Sequence, residues 1–192
     1  MNARSREHRR TADAARRLAG HELRILLIVA AAAETHPGGM TDALTRLAKF
    51  DFLVRHPAFA AEALDGLSPD DPRLHLSEDD APRREDRFLL PYHYGPWDER
   101  YLPVVGALIG RDLLTARPVS LSQISRDLVL LPTPSGRTLA EESARSTVWR
   151  AVADRCTAVI DAAGSLSAEQ LTALIATHLP WSGTHPLGEA NR

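Results

Sequence analysis

The strongest pattern in the chain is an apolar run near its start. From His21 to Glu34, Leu23, Leu26, Leu27 and Ala30 share one helical face while Ile25 and Val29 widen it, which predicts a helix at the centre of the fold. His36-Pro37-Gly38-Gly39 ends it. Thr41 as N-cap and Asp42 in the first turn open a second helix through Leu44, Leu47, Ala48, Phe52 and Leu53, which Pro57 stops. Phe59, Ala63 and Leu64 fit a further short helix. Val104, Val105, Leu108 and Ile109 predict a helix of about three turns, with Gly110 or Asp112 as the positive-φ residue that closes it. Pro103 would remove a hydrogen bond if that helix began at Asp98, so a start near Leu102 is the alternative.

Two β-prone runs follow, Leu113-Leu114-Thr115 and Leu128 to Leu131, separated by a polar segment and able to pair as a hairpin. Pro132 and Pro134 deny the second strand any continuation, and Gly136 permits a turn into the next helix. Leu139 to Ala163 reads as one long helical stretch with Val148, Trp149, Val152, Cys156, Val159 and Ile160 on a stripe. Gly164-Ser165 interrupts it, and Ser167 with Gln170 forms a capping-box pattern opening a last helix through Leu171, Leu174, Ile175 and Leu179. With a short strand at Phe88, the order strand, aromatic turn, helix, hairpin describes a mainly α, winged helix-turn-helix fold (α+β, with a small β-hairpin wing) and additional C-terminal helices.

The expected organisation is a flexible basic arm over 1–17, a winged-helix domain over 18–138 with an acidic loop at 68–86, a helical extension over 139–180 and a tail over 181–192. The arm carries Arg4, Arg6, Arg9, Arg10, Arg16 and Arg17 against Glu7 and Asp13, a solvated run unless it reaches for nucleic acid or an acidic partner. The loop carries seven carboxylates against Arg73, Arg83 and Arg84, with prolines at 69, 72 and 82, which disfavours placing it on a phosphate backbone.

Composition narrows the class. At 44% apolar, 192 residues can build a core. The net charge of −2 lacks the basic balance that non-specific phosphate binding brings, so DNA contact would need a local patch. The lone Cys156 excludes an internal disulfide and multi-cysteine metal sites, and fits a reducing cytoplasm. The longest apolar run, Ile25 to Ala33, is too short to span a bilayer, so the expected location is cytoplasmic, with no membrane partner. No H-E-x-x-H, G-x-S-x-G, P-loop or dinucleotide phrase occurs, and the eight histidines are scattered; the expectation is a non-enzyme without metal or cofactor.

Binding is left. A DNA-reading winged helix shows Arg, Asn, Gln or Lys from its third helix to base edges. Here that helix is Leu102 to Gly110 behind Asp98 and Glu99, with only Arg100 and Arg111 able to touch DNA, so base readout is disfavoured. Arg117, Arg126 and Arg137 flank the hairpin and suit sequence-independent backbone contact, or are ordinary surface arginines. Phe88, Tyr92, Tyr94, Trp97 and Tyr101 are half of the ten aromatic residues, crowded into fourteen positions. Tyr92, Tyr94, Trp97, Tyr101 and Trp149 are the candidates for core or partner contact.

Several phrases carry a family resemblance. Leu131-Pro132-Thr133-Pro134-Ser135-Gly136-Arg137 is similar to the exit from the wing in many winged-helix proteins. Tyr94-Gly95-Pro96-Trp97-Asp98 resembles a phrase before the third helix in two bacterial groups: middle components of ABC-three-component systems, and antitoxin-associated domains of the Panacea type. Lys49 to Pro57 and Gly164 to Pro180 also resemble the middle components, with departures at Ala48-Lys49-Phe50, His93 and Pro103. The resemblance implies an accessory subunit that docks on an ABC/SMC-like ATPase in a defence-type system, with DNA contact through the wing as an addition. Two other readings stand beside it. One is a DNA-binding transcriptional regulator, a homodimer held by the Val148 to Ile160 helix; the other is an antitoxin-like targeting adaptor.

Overall fold

The computed structural model describes residues 3–36, 38–40, 43–76, 101–120 and 126–178. Helix α1 (Ala3–Thr35) is followed by α2 (Ala43–Arg55), α3 (Pro57–Ala63), a 3-10 turn (Pro72–Leu74), α4 (Tyr101–Gly110), strands β1 (Leu114–Ser120) and β2 (Arg126–Pro132), then α5 (Pro134–Arg145), α6 (Arg150–Ala163) and α7 (Ala168–His178). The fold is mainly helical with one small antiparallel sheet, as expected. The Thr41 cap, the aromatic turn with Tyr92, Tyr94, Trp97 and Arg100, the acidic stretch from 77 onward and the tail from 179 lie outside the described residues.

The greasy run of α1 is central: Ile25, Leu26, Ile28 and Val29 are fully buried. Its partners are α6 above all, then α4, α2, α5 and β2. Helix α1 starts at Ala3, so the basic segment expected as a flexible arm is helical. Its sequence explains this, because Ala, Arg and Glu are good helix formers and no Gly or Pro intervenes before Gly20.

The C-terminal helices join the same core through Ala153, Cys156, Ala158, Val159, Ile160, Leu171 and Ile175. The single long helix expected from Leu139 to Ala163 is two helices. Ser143 Oγ donates to the Leu139 carbonyl (2.7 Å), while Ser146 Oγ donates to the Ser143 carbonyl (2.8 Å) and accepts from Trp149 N–H (3.2 Å). Such local side-chain bonds compete with the helical ladder, and Val148 is left in the break, 78% exposed rather than on the stripe. The capping box of α7 is formed: Gln170 Oε1 accepts from Ser167 N–H (2.8 Å) and Ser167 Oγ from Gln170 N–H (3.1 Å).

The hairpin extends further than its apolar runs, pairing Leu114 with Pro132 at its base and Ser120 with Arg126 at its far end. Pro118 is tolerated because, among the described residues, β1 is an edge strand, the other flank of β2 being bridged by Met40 to Leu130. Gly39 makes that approach possible: it takes φ 89°, and a side chain there would strike Val129 and Leu131. At the exit from β2, Thr133 N–H donates to the Leu113 carbonyl (3.1 Å), and Thr133 Oγ1 donates to the Asp112 carbonyl (2.6 Å) and accepts from Gly136 N–H (3.0 Å) as the N-cap of α5. Gly136 is thus a first-turn helical residue, not the turn itself. It is glycine because a Cβ would lie 2.0 Å from the Leu113 carbonyl oxygen. Gly136→Ala is expected to destabilise the protein by about 1–3 kcal/mol, read as a lower midpoint in urea at unchanged slope.

Candidate functional site

The first polar feature to be explained is a carboxylate in the core. Asp51 stands between Phe50 and Phe52 on α2, and its side chain is only 2% exposed. Arg24 of α1 pairs with it through Nε, with Nη2 3.4 Å from the second oxygen. Arg55, one turn further along α2, donates to Oδ2 at 3.0 Å, and the Tyr101 hydroxyl of α4 donates to the same oxygen at 2.7 Å. His21 of α1 has Nε2 4.0 Å from Oδ2 and packs edge-on to the Tyr101 ring, centroids 5.3 Å apart. One carboxylate therefore joins three helices that are far apart in the sequence.

The electrostatics follow from this geometry. Burial pushes the Asp51 carboxyl upward, but the charge and hydrogen bond of Arg24, the charge of Arg55 and the Tyr101 hydroxyl outweigh it, so the group is held below the usual carboxylate range. Tyr101 is driven well above the ordinary phenol range, first by burial and then by the charge of Asp51. Cys156, fully enclosed on α6, is raised by burial and by the same charge, so its thiol stays protonated and unreactive. This is a structural knot, and its parts are committed to one another.

Tyr101 was expected as a core or partner residue and is in the core. Trp149 packs against the core at the start of α6. Arg111, a candidate for DNA contact, pairs with buried Glu22 of α1 and holds the end of α4 in place. Arg117 is exposed on β1, and Arg126 lies near the far end of the hairpin. Arg137 is elsewhere, on α5 beside Glu34 and Glu141 at the rim of a shallow groove between α1, α5 and α6. Arg111, Arg117 and Arg137 therefore sit on different parts of the fold, and Arg100 lies outside the described residues.

A second polar set clasps the stretch after α3 onto α6. Arg73 bonds Asp71 (2.8 Å) and Asp161 (2.5 Å), Arg155 donates to the Leu74 and His75 carbonyls (2.6 and 2.9 Å), and His75 meets Asp154 at 2.7 Å. The opening of the acidic segment is thus docked rather than free. Among the described residues no group of three His, Cys, Asp or Glu could hold a metal ion, and no helix is long and apolar enough to cross a membrane.

Helix α4 also has an exposed, largely apolar outward face. Tyr101, Val104, Val105 and Leu108 turn inward, and Leu102 (58% exposed), Pro103, Gly106, Ile109 (39%) and Gly110 turn outward. Pro103 fits because it is the third residue of the helix, where its missing N–H has no intrahelical partner to lose. This face has no donor or acceptor side chain with which to read a base edge. Among the described residues a Cβ at Gly106 or Gly110 would meet nothing within 4 Å, and neither has positive φ.

The signal for the Asp51 knot was present in the sequence and was missed: a lone carboxylate inside an apolar helical run has to find cationic or hydroxyl partners. Asp51→Ala is expected to cost about 3–5 kcal/mol, and Tyr101→Phe about 1–3 kcal/mol, in chemical denaturation. Because the folded carboxyl titrates below its unfolded value, its contribution is fully present above about pH 4 and is lost as pH falls through the lower folded value. Asp51→Asn should therefore be less stable than wild type at pH 7 and lose less stability on acidification. Gly106→Ala should raise stability by roughly 0.5–1 kcal/mol, since the methyl meets nothing within 4 Å among the described residues.

Compared with known proteins, the chain matches no family model, no curated protein and no solved structure.

Proposed function

We propose that this protein is a non-enzymatic winged-helix adaptor that docks on another protein, an ABC/SMC-like ATPase by the resemblance of its phrases. The winged-helix reading is supported by the order of α1, α2, α4 and the β1–β2 hairpin, and by the third short strand contact that Met40 makes with Leu130. In that arrangement α4 stands where a recognition helix would stand. The observation that carries the adaptor reading is its outer face: Leu102, Pro103, Gly106, Ile109 and Gly110 offer apolar surface and no base-reading group. Apolar side chains so exposed at adjacent turns suit a protein interface.

Contact with DNA is a second component of the proposal, limited to the hairpin. Exposed Arg117 and the position of Arg126 near the hairpin end favour phosphate contact without sequence preference. A regulator dimerised through α6 is less well supported, because Cys156, Val159 and Ile160 are consumed by the chain's own core. The antitoxin-like alternative rests on the Tyr94 to Asp98 phrase.

Co-expression of the tagged chain with the other genes of its operon should yield a stoichiometric complex containing an ATPase at low salt. Recovery of the free chain alone would contradict the adaptor reading. Any duplex affinity should be equal for promoter and unrelated DNA, and fall steeply with added salt. Arg117→Ala should lower it several-fold, whereas tight selective binding to one duplex would favour the regulator.

A further inference from the structure

The arginines at the start of α1 recur with the period of the helix that carries them. Arg6, Arg9, Arg10, Arg16 and Arg17 stand at i, i+3, i+4, i+10 and i+11, and Asp13 takes the i+7 place. At about 100° per residue these positions fall in about one third of the helix circumference. Between Ala3 and Ala19 no other residue falls in that sector, and Arg4 is the one arginine of the segment outside it. An amphipathic helix uses this spacing to gather its apolar residues. Here the same spacing gathers cations.

Charge along the chain is divided in the same sense. Residues 1–17 hold six arginines against Glu7 and Asp13, a balance of +4, so the net charge of −2 leaves −6 on the rest of the chain. A chain of this net charge needs a local patch to hold phosphate, and the α1 stripe is such a patch. Like charges three and four residues apart, as at Arg6, Arg9 and Arg10, oppose helix formation, and a polyanion along the stripe offsets that cost.

Going beyond the hairpin contact proposed above, we infer that this stripe of α1 binds the phosphate backbone of double-stranded nucleic acid without sequence preference. A duplex carries one phosphate per about 1.7 Å of its axis, so the roughly 16 Å of helix from Arg6 to Arg17 meets several phosphates at whatever angle it lies. Helix α1 is unbroken from Ala3 to Thr35 and is buried in the core from Ile25 to Val29, so the stripe is carried on the same rod that organises the fold. A membrane surface fits less well. Helices that lie in one set Leu, Phe or Trp opposite their cations, whereas between Ala3 and Ala19 the only aliphatic residue larger than alanine is Leu18.

The test uses the full chain and a short duplex of unrelated sequence, with affinity followed against salt concentration. Wild type is compared with a triple variant, Arg6→Gln, Arg10→Gln and Arg17→Gln, and with the same three positions changed to lysine. Glutamine and lysine are both good helix formers, and a melting temperature equal to that of wild type verifies that the fold is kept. Loss of three phosphate contacts should reduce the slope of log K against log salt by about 2.7 and weaken binding at low salt by about tenfold or more, while the lysine variant keeps the wild-type slope. Wild-type slope and affinity in the glutamine variant overturn the inference and leave the hairpin as the contact. Equal losses in the glutamine and lysine variants also overturn it, since charge is then not what matters. Vesicles of anionic lipid bound by wild type and released by the glutamine variant, with no duplex affinity in either, overturn it in favour of a membrane surface. None of these outcomes bears on the adaptor reading, which complex formation with the operon-encoded ATPase tests separately.

Discussion

The Asp51 carboxylate is the interaction on which the architecture depends. A carboxylate in a core is tolerated only if charge and hydrogen bonds replace the water it has lost, and here Arg24, Arg55 and Tyr101 do so from α1, α2 and α4. Hydrophobic contact alone would allow α4 to slide along α1, since apolar surfaces are non-directional. A carboxylate with directional bonds to three helices does not allow it. The Arg111 pair with Glu22 at the other end of α4 fixes the same helix a second time.

That fixing decides which face of α4 looks outward. With Tyr101, Val104, Val105 and Leu108 committed inward, helical periodicity leaves Leu102, Gly106, Ile109 and Gly110 on the surface. The hairpin is anchored to the same body by Thr133 and by the close approach of Gly136 to Leu113, so both the hairpin and α4 are tied to the core. A rigid presentation of this kind suits docking, because little order has to be imposed at the moment of binding.

Much of the fold was legible because its signals are local. The apolar run of α1, the Ser167 and Gln170 box, the positive φ of Asp112 and the hairpin runs each depend on a few adjacent residues, and each appears where its pattern put it. Less legible was whatever depended on distant partners. The reason for Gly136 is the Leu113 carbonyl, which no reading of the phrase around Gly136 contains. The break between α5 and α6 came from serine side chains bonding their own backbone, where a continuous apolar stripe suggested continuity. For the site, the absence of base-reading groups on α4 was legible from its residues alone. The pairing of Arg111 with Glu22 and the place of Arg137 on α5 beside Glu34 and Glu141 required the tertiary structure.

We propose that α4 is a protein-docking helix held in place by a buried carboxylate. Amide hydrogen exchange of the chain, free and in complex with its operon partner, tests it most directly. Strong added protection of residues 101–113 in the complex, with little change over 114–132, is the expected result. Protection confined to 114–132 on adding duplex DNA, with α4 unchanged by any protein, would contradict it.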